Sequence, residues 1–276
     1  MNSTRMIRSG TPQGVVFVGG AAVLWASFAC GQPPLKPEPA TPGAPNFTVM
    51  SYNIEFHSAS EPRTLDAIGA QQVDVVAMQE VTFDMQPLIQ ARYADLYPYQ
   101  LFQASTGTSG LGVLSRYPLT DDGVHPGPHG WHPAWHVRVD IPGVPIELLN
   151  VHLRSWATGQ HGLRSILDTP ADHLAEIEGF ASECPSNISS IVLGDFNEGP
   201  SGDAVSYLEQ NGFQDILPQF HPGQPTWRYR SVGDQLEMSV DHILYDDTLR
   251  PLNSWVEVEG RSDHLPVLAY FEARAW

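Results

Sequence analysis

Beyond residue 46 the apolar residues fall into short runs with a period of two, interrupted by four stretches where the period lengthens to three or four. The period-two runs predict strands over 47–55, 73–79, 99–103, 110–115, 135–141, 146–153 and 190–193. Four more follow over 226–229, 238–245, 254–258 and 266–271. The longer period predicts helices over 63–72, 85–93, 172–182 and 204–211; in the third, Leu174, Ile177 and Phe180 share a face. Strand runs broken by isolated helices imply an α+β domain with two stacked sheets. No internal repeat can be read from the residues alone.

Several strands end in polar clusters. "IVLGDFNEGP" (191–200) runs from an apolar strand into Asp195, Asn197 and Glu198. "MSYNIEF" sets Asn53 and Glu55 two apart, so both leave one face, and "VVAMQE" ends in Glu80. "ELLNVHLRS" puts Asn150, His152 and Arg154 on one face and Leu149, Val151 and Leu153 on the other. "SVDHILY" carries Asp241 and His242 within an apolar strand, and "GRSDHLPVLAYF" carries Asp263 and His264 just before one. Singly, each has a plain structural explanation: a turn asparagine, a solvated strand-end glutamate, a core histidine with its ring satisfied. Together they supply carboxylates for a hard divalent cation, amides to orient a ligand and imidazoles for proton or charge work.

Composition narrows the partners. The 276 residues are 42% hydrophobic, enough for a substantial core, and carry a net charge of -17. Two of the 14 basic residues, Arg5 and Arg8, lie in the first thirty, and none of the 31 acidic ones does, so the remainder is more acidic still. Such a surface offers no footprint for tight non-specific nucleic-acid binding, although a local metal site can offset the global field. Only Cys30 and Cys184 are present, too few for a disulfide framework.

The first thirty residues read as an export signal. Arg5 and Arg8 precede an apolar run, Val15 to Ala29, that is too short to span a bilayer and fits a signal-peptide core. "LWASFAC" sets small residues before Cys30, as in a bacterial lipoprotein whose new N-terminal cysteine is lipidated; plain secretion is the alternative. Residues 1–29 are therefore expected to be a signal peptide, 30–45 a Pro-rich extended spacer with a possible anchor at Cys30, and 46–276 the functional domain. Membrane contact is expected only through that anchor, and the domain is expected to be a monomer.

In this order, the polar strand ends resemble the endonuclease/exonuclease/phosphatase superfamily, which includes deoxyribonuclease I, AP endonucleases, sphingomyelinases and inositol phosphatases. "GDFN" and the C-terminal "SDHLP" carry most of the likeness, "SGLGVLSRYPL" (109–119) adds to it, and the match runs from about residue 51 to the C-terminus. The resemblance implies a four-layer α/β/β/α sandwich of two mostly antiparallel sheets, with the site at one edge. It implies Glu80 as metal ligand, with Asn53, Glu55 and Asp263 beside the metal. His152 would contact the phosphate, Asp195 and Asn197 would orient water and phosphate, and Asp241 would pair with His264 at the reacting phosphorus. Mg²⁺ suits such a site because it keeps several waters and needs one or two carboxylates; Mn²⁺ could replace it.

Departures from the family shape the rest of the reading. "QEVTFD" lacks the basic residue that deoxyribonucleases and AP endonucleases carry soon after the metal glutamate. "HPAWHVR" shares only PAW with the inositol-phosphatase signature, and the domain is compact beside sphingomyelinases. Arg154, and less so Arg164, is a candidate second phosphate contact. "HPGPHGWHPAWH", with His125, His129, His132 and His136, could bind Zn²⁺ or form a substrate loop with an exposed Trp131. The expectation is an exported Mg²⁺-dependent phosphoesterase acting on a phosphodiester or phosphomonoester without a covalent intermediate. The alternatives are an extracellular nuclease and an inactive member that binds a phosphorylated ligand.

Overall fold

The computed structural model describes residues 33–58, 61–128, 131–155, 163–182, 188–231 and 234–274. Within it two six-stranded sheets face each other. The first runs β13 (Leu249–Val256), β14 (Val267–Ala273), β1 (Asn46–Asn53), β2 (Val75–Gln79), β4 (Leu111–Ser115), β3 (Tyr99–Gln103). The second runs β5 (Leu119–His125), β6 (Ala134–Val139), β7 (Ile146–His152), β8 (Ser189–Asp195), β12 (Asp241–Tyr245), β9 (Gln214–Asp215). A separate hairpin pairs β10 (Trp227–Ser231) with β11 (Asp234–Met238). Helices α1 (Pro62–Ala70) and α2 (Met85–Tyr93) pack Leu65, Ile68, Met85 and Ile89 on the outer face of the first sheet. α3 (Leu163–Ala181) and α4 (Asp203–Gln210) pack Ile177, Phe180, Val205 and Leu208 on the second. The order of layers is α/β/β/α, as the resemblance implies, and α5 (Leu217–Phe220) adds two residues to the core between the sheets.

Strand alternation decides which side chains enter the central layer. In β1, Phe47 and Val49 face the other sheet while Met50 and Tyr52 face the helices. In β7, Ile146 and Leu148 face inward while Leu149 and Val151 face α3 and α4. Carrying the same alternation to the strand ends puts Asn53, Asn150, His152 and Asp195 inside, all buried. The core therefore changes from apolar to polar along its length. Gln79 Nε2 donates to Asn150 Oδ1 at 2.7 Å, and Asn150 Nδ2 donates to the Met78 carbonyl at 3.1 Å, so the first polar contacts join the two sheets.

Each sheet contains one parallel pair, β1–β2 and β7–β8, and is otherwise antiparallel. Each parallel pair is joined by a crossover helix, α1 or α3. The strand predicted over 238–245 divides at Val240: the backbone amides of Val240 and Asp241 both donate to Thr226 Oγ1 at 3.0 Å, which ends the hairpin and starts β12. β5 was not expected from the pattern. It is an edge strand with a bulge between Asp121 and Gly123 and little burial, so alternation leaves no trace in it. α3 begins at Leu163, well before residue 172, and carries Pro170 inside it, where proline ordinarily marks a helix boundary.

The expected leader, Cys30 and Arg164's side chain lie outside the described residues. The Pro-rich segment forms no helix or strand over 33–40, and it does not stand clear of the domain. Leu35 N donates to the Gln219 carbonyl at 2.7 Å, Glu38 N to that of Leu252 at 2.9 Å, and Thr41 N to Glu272 at 2.7 Å. Glu38 also pairs with Arg250 at 2.8 Å. Among the described residues no helix is long and apolar enough to cross a membrane.

Candidate active site

The polar strand ends meet because of the strand order. Asn53 ends β1 opposite Gln79, and Glu80 follows. His152 ends β7 opposite Asp195, and Asp241 opens β12 opposite the same aspartate. Gly194 has φ 146°, and a Cβ there would lie 1.9 Å from the Val151 carbonyl oxygen, so only glycine fits this approach. Of the four described non-glycine residues with positive φ, three are Glu55 (57°), Glu80 (64°) and Asn197 (52°). Left-handed backbone costs such residues ~1–2 kcal/mol each, and strain of this kind gathers at functional sites.

These residues line one cavity of about 220 Å³, with Glu55, Glu80, His152, Asp195, Asn197, Asp263 and His264 on its walls. Asp195 is its electrostatic centre. Its Oδ1 accepts from Asn197 N at 2.9 Å and its Oδ2 from Asn53 Nδ2 at 3.0 Å. That same Oδ2 stands 3.5 Å from Nε2 of both His152 and His264. Burial opposes the charge on Asp195, but the His264 ring, then the Asn197 and Asn53 amides, hold its carboxyl below the usual range.

His264 Nδ1 donates to both oxygens of Asp241, at 2.9 and 3.0 Å. Burial alone would lower the ring's proton affinity. The carboxylates of Asp241 and then Asp195 outweigh it and raise the pKa to about 10, so this ring is an imidazolium at neutral pH. His152 differs. Its Nδ1 lies 3.0 Å from the Thr108 carbonyl oxygen, which can only accept, so Nδ1 carries the proton. Burial lowers its pKa, leaving a neutral ring with the Nε2 lone pair toward the cavity.

Glu80 forms the other wall. Oε1 accepts from Asn53 Nδ2 at 3.2 Å and Oε2 from Phe56 N at 2.9 Å, yet burial still pushes its pKa up. Glu55 is raised as well, by burial and then by Asp263. Four carboxylates thus share a cavity that, among the described residues, no lysine or arginine lines. Among the described residues, the one group with three carboxylate or imidazole ligand atoms within 4.8 Å is Asp195, Asp241 and His264. His264 is already committed to Asp241 there, so this trio reads as an ion pair with a second acid rather than as a prepared metal shell.

The structure assigns several side chains differently from the sequence. Asn53 is a bracket: its amide nitrogen donates to both Glu80 and Asp195, and its Oδ1 accepts from Glu55 N at 3.0 Å. Arg154 is absent from the cavity wall. It turns to α3, where it pairs with Asp172 and lies 4.4 Å above the ring of Trp131. Trp131, expected to be exposed, is half-buried beneath it. Asp263 lines the cavity but accepts from Trp227 Nε1 at 2.7 Å. Glu198 faces away, bonded to His173 Nδ1 and to Val205 N, each at 2.9 Å, where it caps α4. His242 points to the outer side and bonds Asp215 at 2.7 Å.

The histidine-rich segment does not converge on one site. His136 bonds Glu147 at 2.9 Å and meets His125 edge-on at 4.6 Å, while His132 stacks on His152 at 4.0 Å. His129 lies outside the described residues. Thr108, Thr226 and Trp227 touch the site residues and were missed by sequence reasoning, and His132, named with its loop, was not linked to His152. Only the Thr-Trp pair ahead of an apolar strand could have hinted at them.

Against this geometry, the comparisons give one family. A profile of the Endonuclease/Exonuclease/phosphatase family matches residues 50–264, and the chain belongs to that family. No curated protein matches the sequence at a significant level. Among solved structures, it resembles an endonuclease/exonuclease/phosphatase from Beutenbergia cavernae (20% identity, TM-score 0.65), over 83% of this chain and 72% of that one. It also resembles D. rerio TDP2 complexed with a single-strand DNA product (17%, TM-score 0.64), over 82% and 98%. An AP endonuclease from Archaeoglobus fulgidus is similar as well (17%, TM-score 0.61), over 81% and 98%. At these identities the likeness concerns the fold.

Proposed function

We propose that the protein is a divalent-metal-dependent phosphoesterase that cleaves a phosphodiester by direct attack of water. The observation that carries this reading is Asp195, a buried ionised carboxylate held by two amides between a neutral and a charged imidazole. Its fixed oxygens suit it to orient a water and accept hydrogen bonds from it. His264, kept charged by Asp241, offers an N–H to a phosphoryl oxygen as negative charge builds there. His152 presents a lone pair on the same side and can take or return a proton. Asn197 lines the cavity with its amide anchored to the Leu153 carbonyl at 3.0 Å.

The residues fit a metal ion. Glu55, Glu80, Asp195 and Asp263 would repel an anionic phosphate, and the raised Glu80 and Glu55 mark carboxylates short of a cation. Glu80 would hold the ion with Glu55 or Asp263 nearby. Bound there, it would neutralise a phosphoryl oxygen and the leaving oxygen. Mg²⁺ is our first choice and Mn²⁺ the second, because few ligands and several waters suffice. The leader supports export, with Cys30 as a candidate lipid site.

The test is a panel of phosphate mono- and diesters, including bis-p-nitrophenyl phosphate, nucleic acids and phospholipids, with Mg²⁺, Mn²⁺ or EDTA. Metal-dependent diester hydrolysis is expected. Full activity in excess EDTA would refute the metal, preference for nucleic acid would favour the nuclease alternative, and phosphate-ligand binding without turnover would favour the inactive one.

A further inference from the structure

Resting on that reading, we propose that the apolar face of the β10–β11 hairpin, with the pocket between it, α3 and α4, is a subsite for an aliphatic arm of the substrate. The register pairs Trp227 with Met238 and Tyr229 with Leu236, and directly opposed residues share one face of the hairpin. Arg228 and Glu237 take the other face, 3.5 Å apart. The apolar face leads outward from the catalytic cavity. At its inner end Trp227 lines that cavity, its ring 6.5 Å from His264. At its outer end Tyr229 and Leu236 are 49% and 44% exposed.

A second pocket, of about 520 Å³, opens beside Met238 and Leu236, with Pro170, Thr169 and Gly202 opposite; it shares Asn197 with the catalytic cavity. An ester substituent leaving the scissile phosphate past Asn197 would enter it directly. Of its two acids, Glu198 is occupied by His173 and Val205 N, and Asp203 is exposed in the first turn of α4, where the helix N-terminus favours a negative charge, so neither asks for a cation. Leucine, proline and the flexible methionine suit an alkyl chain rather than a stacked ring, and Trp227 and Tyr229 already stack on each other at 6.1 Å. The strong negative charge of the chain disfavours a polyanion in the same place.

The test uses p-nitrophenyl methyl, propyl and hexyl phosphates, all monomeric, with Mg²⁺. In the wild type kcat/KM should rise about two- to fourfold per methylene, from the free energy of burying a CH₂. Leu236→Ser and Met238→Ser should flatten that rise. Calorimetric titration with methyl and hexyl phosphate reads the same preference without turnover: hexyl should bind more tightly, and less so in the variants. Equal affinity for the two, or a preference that survives both substitutions, would overturn the subsite. So would a preference for nucleoside over hexyl esters, or vesicle binding lost in Leu236→Ser with no chain-length effect among monomers. If no ester is hydrolysed but hexyl phosphate still binds preferentially, the catalytic reading fails and the subsite stands.

Discussion

In the first sheet the parallel pair β1–β2 is joined by α1 and ends in Asn53 and Glu80; in the second the pair β7–β8 is joined by α3 and ends in His152 and Asp195. Each pair is flanked by two further strands on either side. The plan is the same, yet the charges differ. Glu80 accepts from an amide and a backbone N–H, with the neutral His152 ring 3.9 Å away, and burial raises its pKa. Asp195 has two imidazoles within 3.5 Å, and its pKa falls. On the proposed reading, the first half takes a cation from solution, while the second carries its own. The difference shows how one strand arrangement can serve two electrostatic tasks through what stands next to the terminal carboxylate.

Turnover should separate the halves most strongly. Asp195→Asn and His264→Ala are each expected to lower kcat by at least about 10²-fold, the loss typical of an acid–base group. The double variant should lose far less than the product, because both serve one transition state. Glu80→Gln should instead shift the Mg²⁺ concentration needed. If extra Mg²⁺ rescued Asp195→Asn as readily as Glu80→Gln, the division of labour would be wrong.

Metal-linked stability should come next. At an Mg²⁺ concentration of 100 times Kd, unfolding should be harder by about 2.7 kcal/mol, read as a rise in Tm. That rise should vanish in Glu80→Gln and survive in His264→Gln.

The polar link between the sheets offers a smaller effect. Asn150→Leu leaves the buried Gln79 amide without its acceptor and should cost about 1–3 kcal/mol in denaturant unfolding. Adding Gln79→Leu should recover part of that loss, whereas a purely additive outcome would remove the link's structural role.

A separate effect concerns pH. A group whose pKa is raised on folding stabilises fully below its unfolded value and loses that contribution as pH rises through the folded value. For His264 the window runs from its ordinary value of 6.5 to about 10. Stability of the metal-free protein should decline across it, and His264→Gln should reduce the slope. An unchanged slope would mean that other groups carry the titration.

Alternation made the inward Asn150 and His152 of β7 legible from "ELLNVHLRS", because polar residues at every second position mark one face even in a strand buried on both. It failed in β5, which buries neither face, and at Val240, where Thr226 rather than a turn residue divides the strand. Among candidate site residues, those on strands were placed together as expected. Arg154 lies just past the end of β7, so alternation no longer governs it, and Asp172 on α3 takes it away from the cavity. His132 was legible only as part of its histidine-rich loop: its stacking on His152 joins that loop to the end of β7, which no spacing rule connects.

Docking of residues 35–41 on the domain sets the length of any leash. Were Cys30 lipidated, about five residues would separate the lipid from the docked segment, on the order of 18 Å at full stretch. The domain would then graze the bilayer surface instead of sweeping a wide hemisphere above it. Its working space would be a thin shell, where encounter is governed by diffusion in two dimensions and only substrates that visit the membrane's edge are met often.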